Sequence, residues 1–193
     1  MTLNKLLSPE EYLAKERASK ERSEYFEGKT ATISGASLVH NRILINLIAE
    51  IGSVLKDKPC EILPNDMRVT VPSRKAYMYP DAIIVCGEPE LEDDHFDTLK
   101  NPVVIFEILS PSTRAHDRSK KFLYYQQIPS FREYVLIDST KRFVEISRKG
   151  NDNAFDNSWK SFEATVDPYG HIFISSIRYP LPLEELYRNV SLK

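Results

Sequence analysis

The chain has 193 residues, of which 41% are hydrophobic and 28% charged, enough to bury one continuous apolar core as a single domain over residues 1–193. A formal net charge of -2 excludes a histone-like or polybasic protein, so any contact with nucleic acid must use a local patch. Two cysteines, Cys60 and Cys86, lie in apolar stretches without CxxC spacing, which excludes a zinc knuckle or a dense disulfide framework and fits a reduced, cytoplasmic protein.

In chain order, Ser8-Pro9-Glu10-Glu11 starts a helix: Ser8 caps it, Pro9 suits the first position and Glu11 closes a capping box. The helix is expected to run to about Ser23, with Glu24-Tyr25-Phe26-Glu27-Gly28 turning into a strand from Lys29 to Ser34. Leu44, Leu47, Ile48, Ile51 and Leu55 repeat at helical spacing and predict an amphipathic helix from about Leu38 to Lys56.

Strands are expected at Cys60–Leu63 and Met67–Val71, then at Asp81–Cys86 and Val103–Leu109. The last two are apolar almost throughout, as strands covered on both faces are. The acidic stretch from Glu88 to Asp97 reads as a solvated loop. A helix follows at Asp117–Gln127, then a hairpin of Glu133–Asp138 with Arg142–Arg148. Weaker strands at Trp159–Val166 and His171–Ile174 precede a closing helix at Leu183–Arg188. Helices placed to cover a sheet give an α/β or α+β sandwich. The amino terminus lacks an apolar h-region and the longest apolar runs are strand-sized, so neither export nor membrane spanning is expected.

Glu107 lies inside Val103-Val104-Ile105-Phe106-Glu107-Ile108-Leu109, where an unpaired charge would cost several kcal/mol or be protonated. It needs a core Arg or Lys, water at a sheet edge, or a metal. Asp81 opens the preceding apolar strand and meets Glu107 if the two strands pair. Two carboxylates brought together in apolar surroundings are relieved by a hard divalent cation. Magnesium, with manganese as a substitute, is the expected ion, and the backbone carbonyl of Ile108 a further oxygen ligand.

Tyr79-Pro80-Asp81, then Phe106-Glu107-Ile108-Leu109-Ser110-Pro111-Ser112-Thr113, then Asp117-Arg118-Ser119-Lys120-Lys121-Phe122 together resemble the PD-(D/E)XK nuclease superfamily. More narrowly they resemble the Uma-two family of restriction endonucleases. The resemblance extends to Glu24–Gly28, Gly35-Ala36-Ser37, His40-Asn41-Arg42, Ile128-Pro129-Ser130 and Glu133-Tyr134. It implies a restriction-endonuclease-like mixed sheet flanked by helices and a magnesium-dependent endonuclease that cleaves nucleic acid, with DNA the expected substrate. It also implies catalytic roles for Asp81, Glu107 and Lys121, with Glu24 as a binder of a second metal or a metal-bound water.

The wider superfamily places a Lys two residues after its Glu, where this chain has Leu109; the Uma-type pattern places the Lys on the following helix, at Lys121. Lys121 otherwise reads as a solvated helix charge paired with Asp117, and Glu24 as an exposed helix-end carboxylate. His40 falls on the apolar stripe of its helix and reads foremost as a buried, hydrogen-bonded histidine at the margin of the site. Arg114, Arg118, Lys120 and Lys121 against Asp117 form a basic cluster suited to phosphates or to a solvated helix face. Ser110, Ser112 and Thr113 cap the helix or bind phosphate oxygens. Cutting two strands calls for two sites, so a homodimer is expected. The competing reading is a catalytically inactive nucleic-acid-binding or scaffold protein on the same fold, and a less favoured one is a hydrolase of a small phosphoester.

Overall fold

The computed structural model describes residues 6–150, 158–165 and 169–192. Helix α1 (Pro9–Ala18) carries the expected capping box between Ser8 and Glu11. It stops short of Ser23 because the Glu16 carboxylate takes the Ser23 N–H and hydroxyl, at 2.8 and 2.6 Å. The freed chain forms β1 (Ser23–Phe26), paired antiparallel with β2 (Lys29–Thr32). Glu27 and Gly28 both have positive φ, at 49° and 95°, the backbone of a tight two-residue hairpin turn. A Cβ on Gly28 would also meet Leu6 at 2.8 Å. Glu24 therefore sits on a strand, not at a helix end.

Helix α2 (Leu38–Leu55) follows as expected. It is long and apolar enough to cross a membrane by length and composition, but here its Ile43, Leu47 and Ile51 face is packed into the core. Next come β3 (Cys60–Pro64), β4 (Arg68–Val71), β5 (Ala76–Met78), β6 (Ala82–Cys86), β7 (Thr98–Leu99) and β8 (Val104–Leu109). A helical segment then runs from α3 (Arg114–His116) through a π-helical turn (Asp117–Lys121) into α4 (Phe122–Tyr125). It provides the crossover that the parallel pairing of β8 with β9 (Glu133–Asp138) requires. β10 (Phe143–Lys149) and β11 (Trp159–Thr165) extend the sheet; β12 (His171–Ile174) and β13 (Tyr179–Pro182) form a separate pair before α5 (Leu183–Leu186). Val166 lies outside the described residues.

Two mixed sheets result, one of five strands in the order β2-β1-β5-β4-β7 and one of six in the order β11-β10-β9-β8-β6-β3. The larger sheet is covered on both faces, and side-chain alternation along β6 and β8 sorts its residues. Ala82, Ile84, Val104 and Phe106 pack with Ile43, Leu47 and Ile51 of α2. Ile83, Val85, Ile105 and Leu109 pack on the other side with Val69, Met78 and Tyr125. Each fully buried aliphatic side chain of this kind contributes about 1.5–3 kcal/mol. Glu107 shares the face of Ile105 and Leu109, so its carboxylate points towards the helical crossover.

Two expectations are corrected. Cys60 and Cys86 are direct partners in the β3–β6 register and are joined as a disulfide, because antiparallel pairing of the two apolar runs sets them opposite one another. The stretch from Glu88 to Asp97 is not simply solvated. Asp93 and Asp97 hold Arg17, each at 2.8 Å, and Asp97 also meets Arg68 at 2.6 Å, so the loop clamps α1 to the smaller sheet.

Candidate active site

Pro80 and Asp81 bridge β5 and β6, and the Asp81 N–H donates to the Phe106 carbonyl at 3.1 Å. Pairing of Ala82 with Phe106 brings Asp81 beside the middle of β8. Its carboxylate is held from two sides. The Ile108 N–H donates to Oδ2 at 2.6 Å, and His40 Nε2, in the first turn of α2, lies 3.1 Å from Oδ1.

Glu107 has its partner in Lys121, whose Nζ lies 2.9 Å from Glu107 Oε1, 2.8 Å from Glu24 Oε1 and 3.7 Å from Asp117 Oδ1. Lys121 also donates to the Tyr79 carbonyl at 3.4 Å, and the Tyr125 hydroxyl donates to Glu107 Oε1 at 3.2 Å. Glu24 further accepts from the Tyr79 N–H at 3.1 Å. Both Lys121 and Glu107 are almost wholly buried, at 5% and 3% exposure. The π turn carries Asp117 and Lys121 together; such turns are frequent at functional sites.

Three carboxylates around one ammonium, with Asp81 acting on Glu107 from beside them, set the electrostatics. Burial pushes Glu107 well above the ordinary glutamate range; Lys121 pulls against it, while the neighbouring Asp117, Asp81 and Glu24 add to the rise. Asp117 is raised by burial too. Burial acts to lower Lys121, but Glu107, Glu24 and Asp117 hold it far above the usual lysine value. Burial acts to raise Glu24, yet Lys121, His116 and the Tyr79 N–H bring it below the ordinary value.

These groups form the floor of an open cavity of about 530 Å³ lined by Glu24, His40, Asp81, Glu107, Asp117 and Lys121, with Ile108 among its backbone. The three residues expected to bind phosphates are not brought to it. Arg114 is held by Asp138 at 2.9 Å, Arg118 is paired with Glu145, and the Lys120 ammonium sits 4.0 Å over the Phe26 ring. Leu109 is fully buried among apolar side chains, so among the described residues the amine at the site comes from Lys121 alone. Two neighbours escaped the sequence reading. Tyr125 had a signal, being four residues after Lys121 on one helix face; His116, 3.6 Å from Glu24 Oε2, had none.

Among the described residues no group of three or more His, Cys, Asp or Glu side chains stands at metal-binding spacing. In kind, the donors fit a hard cation: Asp81 and Glu107 present carboxylate oxygens to one cavity, and its carboxylates outnumber its ammonium.

Residues 9–167 match the family model Uma2, described as "Putative restriction endonuclease". The chain belongs to the Uma2 family. Two proteins from Synechocystis sp. (strain ATCC 27184 / PCC 6803 / Kazusa), both uncharacterized, are similar to it. The first, sll1609, is 36% identical over 148 residues, covering 77% of this chain and 84% of its own. The second, slr1290, is 34% identical over 146 residues, covering 76% of each. A crystal structure from Anabaena variabilis ATCC 29413, described as a "putative nuclease belonging to DUF820", superposes with a TM-score of 0.74 at 19% identity, over 94% of this chain and 97% of that one. The Uma2 fold seen here is thus a mixed α+β fold shared with that protein.

Proposed function

We propose that this Uma2 chain is a magnesium-dependent endonuclease that hydrolyses phosphodiester bonds in DNA. The observation that carries the reading is the convergence of Asp81, Glu107 and Lys121 on one cavity, with Lys121 Nζ 2.9 Å from Glu107. Asp81, Glu107 and the Ile108 carbonyl would hold the cation, which when bound supplies charge neutralisation and an acidified water.

The chain's own groups do the rest. His40 and the Ile108 N–H fix the Asp81 carboxylate, and Tyr125 fixes Glu107. Lys121 keeps a full positive charge in a buried setting, where it can donate to a non-bridging phosphate oxygen as negative charge develops there. Glu24 and Asp117 keep that ammonium at the floor of the cavity. Cutting both strands needs two such sites, so the reading includes a symmetric homodimer.

The test is conversion of supercoiled plasmid to nicked or linear form by the purified protein. Cleavage with magnesium that EDTA abolishes supports the reading; an intact plasmid under both conditions sinks it. One observation favours the inactive reading: Lys121 already pairs with both Glu107 and Glu24, so the floor can persist with no cation. Calorimetry with manganese separates the two readings, since a scaffold protein shows no binding that depends on Asp81 and Glu107.

A further inference from the structure

Resting on the nuclease reading, a second feature concerns how a substrate strand would be held. From Lys29 to Ala49 the chain contains no Asp or Glu, although 28 of its 193 residues are acidic. Within it, residues 31–37 and His40 form one wall of the cavity. It begins at β2, the outer strand of the smaller sheet, whose four side chains are all exposed. Register sets Ala31 opposite Glu24. The cavity-lining part of the stretch ends at the first turn of α2, where His40 meets Asp81, so it connects the two ends of the carboxylate floor.

Charge is separated by depth. The side chains of Glu24, Glu107 and Asp117 are 8%, 4% and 6% exposed, and that of Asp81 is 17% exposed. The wall above them offers Thr32, Ser34 and Ser37 to the cavity. Across from it stand Ser110 and Ser112, with hydroxyls 2.9 Å apart. Arg22 and Lys121 are the only Lys or Arg side chains lining the cavity among the described residues, and Lys121 is buried in the floor. An exposed edge strand bearing hydroxyls and no acid can donate to phosphate and sugar oxygens without repelling them.

We propose that residues 31–37, the second half of β2 and the loop after it, form the docking face for a nucleic-acid strand, gripped by neutral hydrogen bonds instead of by lysine and arginine. Affinity that does not come from neutralising phosphates releases few counterions, so its dependence on salt is shallow.

The test is fluorescence anisotropy with a labelled single-stranded DNA oligonucleotide and its duplex, with calcium replacing magnesium, repeated over a range of salt. The double variant Thr32→Glu, Ser34→Glu is expected to bind at least about tenfold more weakly, as like charges set against phosphates do, while its thermal melting matches the parent's. Ala49→Glu, roughly 18 Å along α2 from Ser37 at 1.5 Å per residue, adds the same kind of charge away from the cavity and leaves binding unchanged. Equal binding by the double variant and the parent, or a steep salt dependence of the parent, overturns the proposal while plasmid cleavage can still stand. A parent that neither binds the oligonucleotides nor cleaves plasmid removes the nuclease reading and this proposal together.

Discussion

Lys121 and Glu107, from a helical crossover and the strand before it, form a buried ion pair with Nζ 2.9 Å from Oε1. Glu24 joins them from the smaller sheet at 2.8 Å. The ammonium thus ties three separate elements at one point, where stability and proposed chemistry meet.

Removing only the cation of such a cluster leaves buried carboxylates uncompensated. Lys121→Met is expected to cost ~3–5 kcal/mol of stability. Adding Glu107→Gln to it is expected to restore part of that loss, because the two side chains interact directly. Urea denaturation of both single variants and the double variant checks this; strictly additive losses would show that the pair is not coupled.

The Asp81 carboxylate is flanked by the Ile108 N–H and by His40, and His40 is the one that mutation can remove. If Asp81 holds a cation, His40→Ala is expected to weaken manganese binding by roughly 10–100-fold, the usual effect of losing a residue that orients a ligand. Calorimetry on the folded variant reads this directly. Affinity equal to the parent's would mean that the Ile108 N–H alone orients the carboxylate.

Asp97 is held well below the ordinary aspartate value of 3.8, first by the hydrogen bond from Arg17 and then by Arg68, against a burial effect that raises it. A depressed folded-state pKa stabilises the fold above the unfolded value and loses that effect as pH falls through the folded one. Arg17→Met is therefore expected to be less stable than the parent at neutral pH, with the gap closing as pH drops below 3.8. Denaturation midpoints from neutral into strongly acid buffer measure it. A gap that stays constant would show that the clamp does not act through the ionised Asp97.

The disulfide closes a stretch with a sequence separation of 26 between Cys60 and Cys86. Loop closure of that order contributes ~2–4 kcal/mol. Denaturation with and without reductant is expected to show a loss of that size, and no change in a Cys60→Ala, Cys86→Ala protein. An equal response of both proteins to reductant would assign the effect elsewhere.

Much of the site was legible because its parts obey local rules. The apolar runs that follow Asp81 and flank Glu107 foretold neighbouring strands, and the observed pairing of Ala82 with Phe106 brings them together. Lys121 pairs with Asp117 as the helical spacing suggested, but it is buried in the cavity floor and not solvated. What local pattern could not give was the partner chosen at a distance. Arg118 goes to Glu145 of β10 and Arg114 to Asp138 of β9, choices set by how the crossover lies on the sheet. The short β5 and β7 carry too few residues for a periodicity, and Glu24–Gly28 read as a turn into a strand, where the structure has most of β1 followed by the Glu27-Gly28 hairpin turn. The cysteine pairing likewise depends on a register between strands that no spacing along the chain encodes.

The most direct test of the account is plasmid cleavage by the parent protein beside Asp81→Asn and Glu107→Gln, each shown by circular dichroism to be folded, with magnesium present. The account predicts cleavage by the parent and none by either variant. Cleavage by both variants at the parent's rate would contradict it.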